Sequence, residues 1–350
     1  MTTIAGVASA FPKYYYSQET LAGALALHWS GKLENPQMLE RLHARTGVAG
    51  RYLSLPMEEY EGLAAWGQAN NAWIEAAQDV GQEAICRALA RAGIGKQDIG
   101  ALFFTSITGI ASPSIDARLV NRMGLPADIR RVPIFGLGCV AGAAGLSLAA
   151  DYARAYPDKV AVLLAVELCS LTLRRDDLSV ANLISAGLFG DGGAAVIVAG
   201  TGRGLPGPRV VATRSVFYPG TEDVMGWDIS EKGFRIVLSP DVPEMVHRHL
   251  AQDTDAFLAA EGLTRRDIGS WVLHTGGPKV LEAMETALEL RDGELQASWD
   301  SLRKTGNLSS ASVLVVLEEV FTNRRPAPGT WGLLAAMGPG FCSELVLLRW

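Results

Sequence analysis

Arg131-Val-Pro-Ile-Phe-Gly136-Leu-Gly138-Cys139-Val-Ala-Gly-Ala-Ala-Gly-Leu-Ser-Leu-Ala-Ala-Asp-Tyr152 runs from a short apolar stretch through two glycines and a cysteine into a series of helix formers. That order predicts a strand, a tight turn and a buried helix, with Cys139 at the turn. A thiol so placed faces unpaired backbone N–H groups and the positive end of the helix macrodipole, which favour thiolate. Ala141, Gly142, Ala143 and Gly145 would let the helix approach its neighbours closely. Free cysteine is also among the most buried residue types, so this stretch alone supports a nucleophile and a packing residue about equally.

Outward from this stretch, 350 residues leave room for two ordinary domains or one large duplicated unit. Hydrophobic residues make up 49% and charged residues 19%, which supports a large core and speaks against disorder. The net charge of −6 arises from 31 basic and 37 acidic residues with no basic block, which argues against nucleic acid as a partner. Cys86, Cys139, Cys169 and Cys342 are scattered without a CxxC pair, which argues against a zinc site or a disulfide framework. The opening Met1-Thr-Thr-Ile-Ala-Gly-Val-Ala8 lacks the basic and long apolar regions of a signal peptide. Val160–Leu168 comes nearest to a membrane span, and Glu167 interrupts it. The expectation is a soluble cytoplasmic protein.

Along the chain, Ile4–Phe11 reads as a strand and a helix follows from Ser17. Met38–His43 reads as helical and leads into the basic turn Arg45-Thr-Gly-Val-Ala-Gly-Arg51. Ala64–Ala92 reads as a long helical region broken near Gly81, with a strand after it at Ala101–Ser106. Lys159–Val166 and the stretch after Phe189-Gly-Asp-Gly-Gly193 are continuous apolar strands, as expected when both faces are covered. Gly200-Thr-Gly-Arg-Gly-Leu-Pro-Gly-Pro208 is the clearest linker. Beyond it the chain repeats weakly. Leu89-Ala-Arg-Ala-Gly93 and Asp98-Ile-Gly100 recur 169 residues later as Leu258-Ala-Ala-Glu-Gly262 and Asp267-Ile-Gly269. A shift of 168 carries Gly138-Cys139 onto Gly306-Asn307, again followed by small residues, Ser309–Ala311. Duplication of an α/β unit follows, with Cys139 and Asn307 at matching helix starts.

A thiol nucleophile needs a base. His28 and His43 lie in polar helices, and His247 and His249 point to different faces of one helical stretch. His274 ends the apolar strand Ser270-Trp-Val-Leu-His274 and meets Thr275-Gly-Gly-Pro278, where α/β proteins place ligands. A strand histidine is otherwise most often a satisfied core residue. Asn307 by itself reads best as a helix N-cap.

Taken together, Gly138-Cys139-Val-Ala-Gly142, Leu188-Phe189-Gly-Asp-Gly192, His274-Thr-Gly-Gly-Pro278, Gly306-Asn307-Leu-Ser-Ser310 and Gly338-Pro-Gly340 make the chain resemble the type III polyketide synthases. These form the chalcone synthase-like branch of the thiolase superfamily, and the resemblance spans nearly the whole length. It implies a thiolase-like, duplicated αβαβα fold with halves at 1–200 and 209–350, and a homodimer. It also implies a Cys139–His274–Asn307 triad, no metal, and no cofactor beyond coenzyme A thioesters as substrates. By the same match Phe189 is a gate residue, and Ile107, Cys169, Trp227, Ile236 and Ser309 line the cavity. Arg45 and Arg51 are candidates for the phosphates of acyl-CoA and malonyl-CoA, and read equally as solvated surface charges. A ketoacyl synthase III type enzyme shares Cys-His-Asn but uses an acyl carrier protein; the His274–Pro278 and Gly338–Gly340 motifs favour the polyketide branch. A non-catalytic thiolase-like binding module is the other alternative, and the intact set of Cys, His and Asn speaks against it.

The chain departs from the chalcone synthases at the cavity. Ile107, Cys169 and Trp227 stand where small polar residues or glycine are expected, Ala336-Met337 precedes Gly338, and Thr275 replaces a proline. Met225-Gly-Trp-Asp228, Val166–Leu171 and the tail from Met337 are most similar to bacterial alkylpyrone synthases. That similarity implies long-chain fatty acyl-CoA starters, malonyl- or methylmalonyl-CoA extenders and alkyl α-pyrones, with alkylresorcinols as the alternative product.

Overall fold

A computed structural model describes residues 1–33 and 35–350. The first half runs β1 (Thr2–Ala10), β2 (Tyr14–Ser17), α1 (Gln18–His28), α2 (Pro36–Ala44), β3 (Gly50–Leu53), α3 (Trp66–Ala92), β4 (Ile99–Thr105), α4 (Ile115–Met123), β5 (Arg130–Ile134), α5 (Ala141–Ala155), β6 (Val160–Leu168), α6 (Val180–Leu188) and β7 (Asp191–Ala199). The second runs β8 (Arg209–Phe217), β9 (Met225–Ser230), β10 (Gly233–Leu238), α7 (Val242–Ala260), β11 (Ile268–Leu273), α8 (Pro278–Leu288), α9 (Gln296–Thr305), α10 (Ser312–Thr322), β12 (Trp331–Gly338) and β13 (Cys342–Arg349). Local chemistry explains several boundaries. The Ser17 side chain caps α1 by accepting the Thr20 N–H at 3.1 Å. Gly93 closes α3 in the left-handed region that a side chain resists.

The two halves share one strand order, β1-β7-β6-β4-β5 in the first and β8-β13-β12-β11 in the second. The first two pairings of each run are antiparallel, and β6–β4 and β12–β11 are parallel. This is the duplication expected from the repeat. Where the first half continues to β5, the second half builds α9 instead. The linker at 200–208 does not hold two bodies apart. It leads straight into β8, which pairs with β1 through Thr2–Val210 and Thr3–Arg209 and joins the halves in one nine-stranded sheet.

Helices α3 and α4 cover the outer face of the first half through Trp73, Ala77, Ile85 and Leu119. Helix α7 and α8 do the same for the second through Leu250, Phe257, Leu281 and Met284. Helices α5 and α10 share one core with strands of both halves, including Leu163, Val196, Leu334 and Val346. The result is the thiolase-like layering that the resemblance implies. Among the described residues no helix is long and apolar enough to cross a membrane.

Two expectations need correction. Helix α3 is unbroken over 27 residues, because Gly81 serves packing: a Cβ there would press on Leu164 and Leu119 at 3.0 and 3.2 Å. The repeat also drifts in register. The turns Gly138–Val140 and Ser309–Ala311, and the helix starts Ala141 and Ser312, lie 171 positions apart rather than 168. Gly138 and Ser309 share a positive φ, 55° and 47°, so Ser310 rather than Asn307 stands opposite Cys139. Asn307 precedes that turn. The sequence of Gly306-Asn307 imitated the wrong pair.

The buried helices come together at Gly142, where a Cβ would overlap the Ser310 carbonyl oxygen and crowd Val313. Gly142→Ala is therefore expected to destabilise the protein by about 1–3 kcal/mol through overpacking. Gly23→Ala in α1, with nothing within 4 Å of the new methyl, should instead gain about 0.5–1 kcal/mol. Urea-unfolding midpoints measure both, and equal midpoints would refute the tight approach.

Candidate active site

Cys139 sits in the turn that opens α5, buried, as the strand–turn–helix reading predicts. The opposing turn at the head of α10 brings Ser309 Oγ to 3.5 Å from Cys139 Sγ. Ser309 holds a left-handed backbone without being glycine, a strained geometry of the kind that clusters at functional sites.

Behind both turns lies Glu167, fully buried on β6. One of its oxygens accepts from the Ser310 N–H at 3.4 Å and from the Ser310 hydroxyl. The other accepts from the Ile107 N–H at 3.1 Å, the Thr108 hydroxyl at 3.0 Å and the Ser106 hydroxyl at 3.3 Å. Burial pushes its carboxyl up to about 7, and these donors pull the other way. Sequence reasoning treated Glu167 only as an interruption of an apolar run. A carboxylate inside a strand covered on both faces was the signal it missed.

Asn307 is held by its backbone, whose N–H donates to Leu188 at 2.9 Å and whose carbonyl accepts from Gly190 at 3.0 Å. Its Oδ1 accepts from the Ser309 N–H at 2.8 Å and the Ser312 hydroxyl at 3.2 Å, so it does cap the turn. Its Nδ2 donates to the Gly276 carbonyl at 3.4 Å, and the Gly276 N–H donates to the His274 carbonyl at 3.1 Å. A chain of contacts thus links Cys139, Ser309, Asn307 and the His274 loop. His274 is buried at the end of β11, with Nδ1 unpartnered among the described residues.

Burial pushes the Cys139 thiol up to about 12, with the Ser309 contact pulling it down and Glu167 adding to the rise. It pulls His274 down to about 4. Burial thus disfavours the charged form of each group taken alone. The helix terminus does not win, because its effect is worth about 0.3–1 kcal/mol, under one pKa unit, whereas burial moves a group by up to about 3–5 units.

A chamber of about 710 Å³ opens beside Cys139, within the size range of small-molecule sites. Its walls include Ser309, Phe189, Ile107, Cys169, Trp227 and Ile236, whereas His274 and Asn307 are not among the lining residues. Trp227 and Ile236 face each other in register on the β9–β10 hairpin, and the Trp227 ring lies 5.7 Å from that of Phe234. The two arginines part company. Arg45 is exposed at the end of α2 and does not line the chamber. Arg51 is no surface charge: β3 turns it inward, its Nη1 donates to the Phe189 carbonyl at 2.6 Å, and burial lowers it to about 10. Nearby, Asp191 accepts from Ser54 and Ser170, and Ser170 meets the Tyr60 hydroxyl at 2.5 Å. Among the described residues no group of His, Cys, Asp and Glu is placed to hold a metal ion.

A duplicated thiolase-like frame around a buried thiol and an adjoining chamber defines an acyltransferase. Residues 1–202 match the N-terminal domain of the chalcone and stilbene synthases, and residues 209–350 match the C-terminal domain. The chain is 53% identical to the 1,3,6,8-tetrahydroxynaphthalene synthase of Streptomyces peucetius subsp. caesius, covering 100% of this chain and 93% of that protein. It is 32% identical to the 3,5-dihydroxyphenylacetyl-CoA synthase of Amycolatopsis balhimycina, covering 100% and 93%. The crystal structure of the Streptomyces coelicolor A3(2) tetrahydroxynaphthalene synthase, titled a bacterial type III polyketide synthase, superposes with a TM-score of 0.94 at 32% identity, covering 99% of each chain. The chain belongs to the chalcone and stilbene synthase family and is a type III polyketide synthase.

The cap geometry of Asn307 gives a prediction separable from chemistry. Asn307→Ala leaves the Ser309 N–H buried without an acceptor and is expected to cost about 1–3 kcal/mol in denaturant unfolding. Asn307→Asp at pH 8 keeps the acceptor and should lose less. Equal losses would mean that Oδ1 does not hold the turn.

Proposed function

We propose that Cys139 carries the growing acyl chain and that malonyl-CoA extends it by decarboxylative Claisen condensation. The single observation that carries this reading is the placement of the Cys139 thiol beside Ser309 on the wall of a chamber of about 710 Å³. His274 takes the thiol proton as Cys139 attacks the acyl-CoA carbonyl, and returns it to the departing coenzyme A thiolate. The charged pair forms only during the reaction, where mutual attraction in a dry site offsets the burial that opposes each charge alone. Loss of carbon dioxide then leaves an electron pair as an enolate, which Asn307 Nδ2 and His274 stabilise as donors. Each such donor is worth roughly 3–4 kcal/mol. The enolate carbon attacks the Cys139 thioester, a carbon–carbon bond forms, and the thiolate leaves. Each step is an acyl transfer or is driven by decarboxylation, so this reading needs no redox cofactor and no metal.

For the starter and product we favour malonyl-CoA alone and a hydroxylated aromatic product of the tetrahydroxynaphthalene type. The support is the identity with that synthase along the whole chain. Two-carbon units supply such a skeleton without another starter. The long-chain starter and alkyl α-pyrone form the second reading, favoured by the apolar walls that Ile107, Phe189, Trp227 and Ile236 give the chamber. There each buried methylene would add about 0.8 kcal/mol. A cytoplasmic homodimer completes the proposal, checked by its mass in solution.

Malonyl-CoA alone, and with lauroyl-CoA, is incubated with the enzyme and the products are read by mass spectrometry. Aromatic product from malonyl-CoA alone supports the first reading, whereas product only with lauroyl-CoA transfers support to the second. Cys139→Ala should abolish both. His274→Gln should slow acylation of Cys139 by the accepted acyl-CoA about 10²–10⁴-fold at pH 7, as expected for loss of a general base. An unchanged acylation rate would remove His274 as the base.

A further inference from the structure

Arg51 carries an uncompensated demand. A guanidinium has five N–H donors, and this one is almost completely buried; among the described residues its one hydrogen-bond partner is the Phe189 carbonyl, its Nε has none and it forms no ion pair. The carboxylate in its neighbourhood, Asp191, is already engaged by both backbone and hydroxyl donors of Ser54 and Ser170. Burying an unpaired cation is expensive unless something in the working cycle pairs with it.

The place it occupies suggests what that is. Arg51 lines the same chamber as Cys139, together with the hydroxyl-bearing Tyr60 and Ser170. Its stem lies against Gly306, where a Cβ would come within 3.1 Å of Cδ. The guanidinium is thereby fixed between the gate residue Phe189 and the segment that bears Asn307. An anion carried into the chamber on an acyl group would meet it there.

We propose that Arg51 is the counter-ion for a carboxylate carried by the acyl group on Cys139, making the chamber selective for starters derived from a dicarboxylic acid. This rests on the reading of Cys139 as the acyl carrier and deepens it. The planar fork suits a carboxylate, and the Tyr60–Ser170 pair provides further hydroxyls at the same corner. A malonyl group used as starter would be held by its carboxylate, while an alkanoyl group would leave the cation unmet.

Succinyl-CoA is the probe, because its carboxylate is not β to the thioester carbonyl and cannot leave as carbon dioxide. Pentanoyl-CoA is its apolar counterpart of similar length. Acylation of Cys139 in the full chain is followed by intact-protein mass spectrometry. Wild type should load succinyl at least about tenfold faster than pentanoyl, as expected for a charge-assisted contact. Arg51→Met should bring the ratio to about one, with Arg51→Lys between. A wild-type ratio of one or less overturns the proposal whatever the variants do, as does an unchanged ratio in a folded Arg51→Met protein. If neither thioester acylates Cys139 while malonyl-CoA or lauroyl-CoA does, this proposal falls and the acyl-carrier reading stands; if those fail as well, both fall.

Discussion

The approach of α5 to α10 at Gly142 is the contact on which the site depends. Without a side chain there, the head of α5 presses against the Ser310 carbonyl. The turn bearing Cys139 and the turn bearing Ser309 then meet at 3.5 Å. These helices belong to opposite halves of the duplicated chain, so the Cys139 thiol lies at the seam between the copies. A larger residue at position 142 would part the turns and open the wall of the chamber.

Glu167 ties the same seam from behind. Its two oxygens gather donors from the loop after β4 and from the head of α10, elements from both halves. An uncompensated carboxylate at this depth would be costly, and the ring of hydroxyl and amide donors makes it tolerable. It also keeps a negative field near the thiol, which raises the cost of forming thiolate before substrate arrives. Burial and this field both oppose a free thiolate in the resting site.

The duplication has been put to unequal use. The first copy keeps Gly138 and a thiol, whereas the second keeps the same backbone turn with Ser309 and spends its preceding residues on Asn307. Asn307 works in two directions, closing the turn through its oxygen and reaching the His274 loop through its nitrogen. Its backbone also pairs with Phe189, which ties the asparagine to the turn after α6.

The sequence by itself determined the strand–turn–helix at Cys139, the doubled α/β plan, the triad candidates and the family, because these rest on local periodicity, glycine turns and ordered motifs. It did not determine which residue opposes Cys139, since Gly306-Asn307 imitates Gly138-Cys139 in composition and only the shared positive φ of Gly138 and Ser309 sets the register. Nor could it tell that Gly81 packs rather than breaks α3, that β1 and β8 fuse the halves, or that Arg51 faces inward while Arg45 stays out. Each of these turns on what lies across from a residue in space. Burial and charge pairing are properties of that neighbourhood, and residues far apart in the chain supply it only once the sheet has closed around α5 and α10.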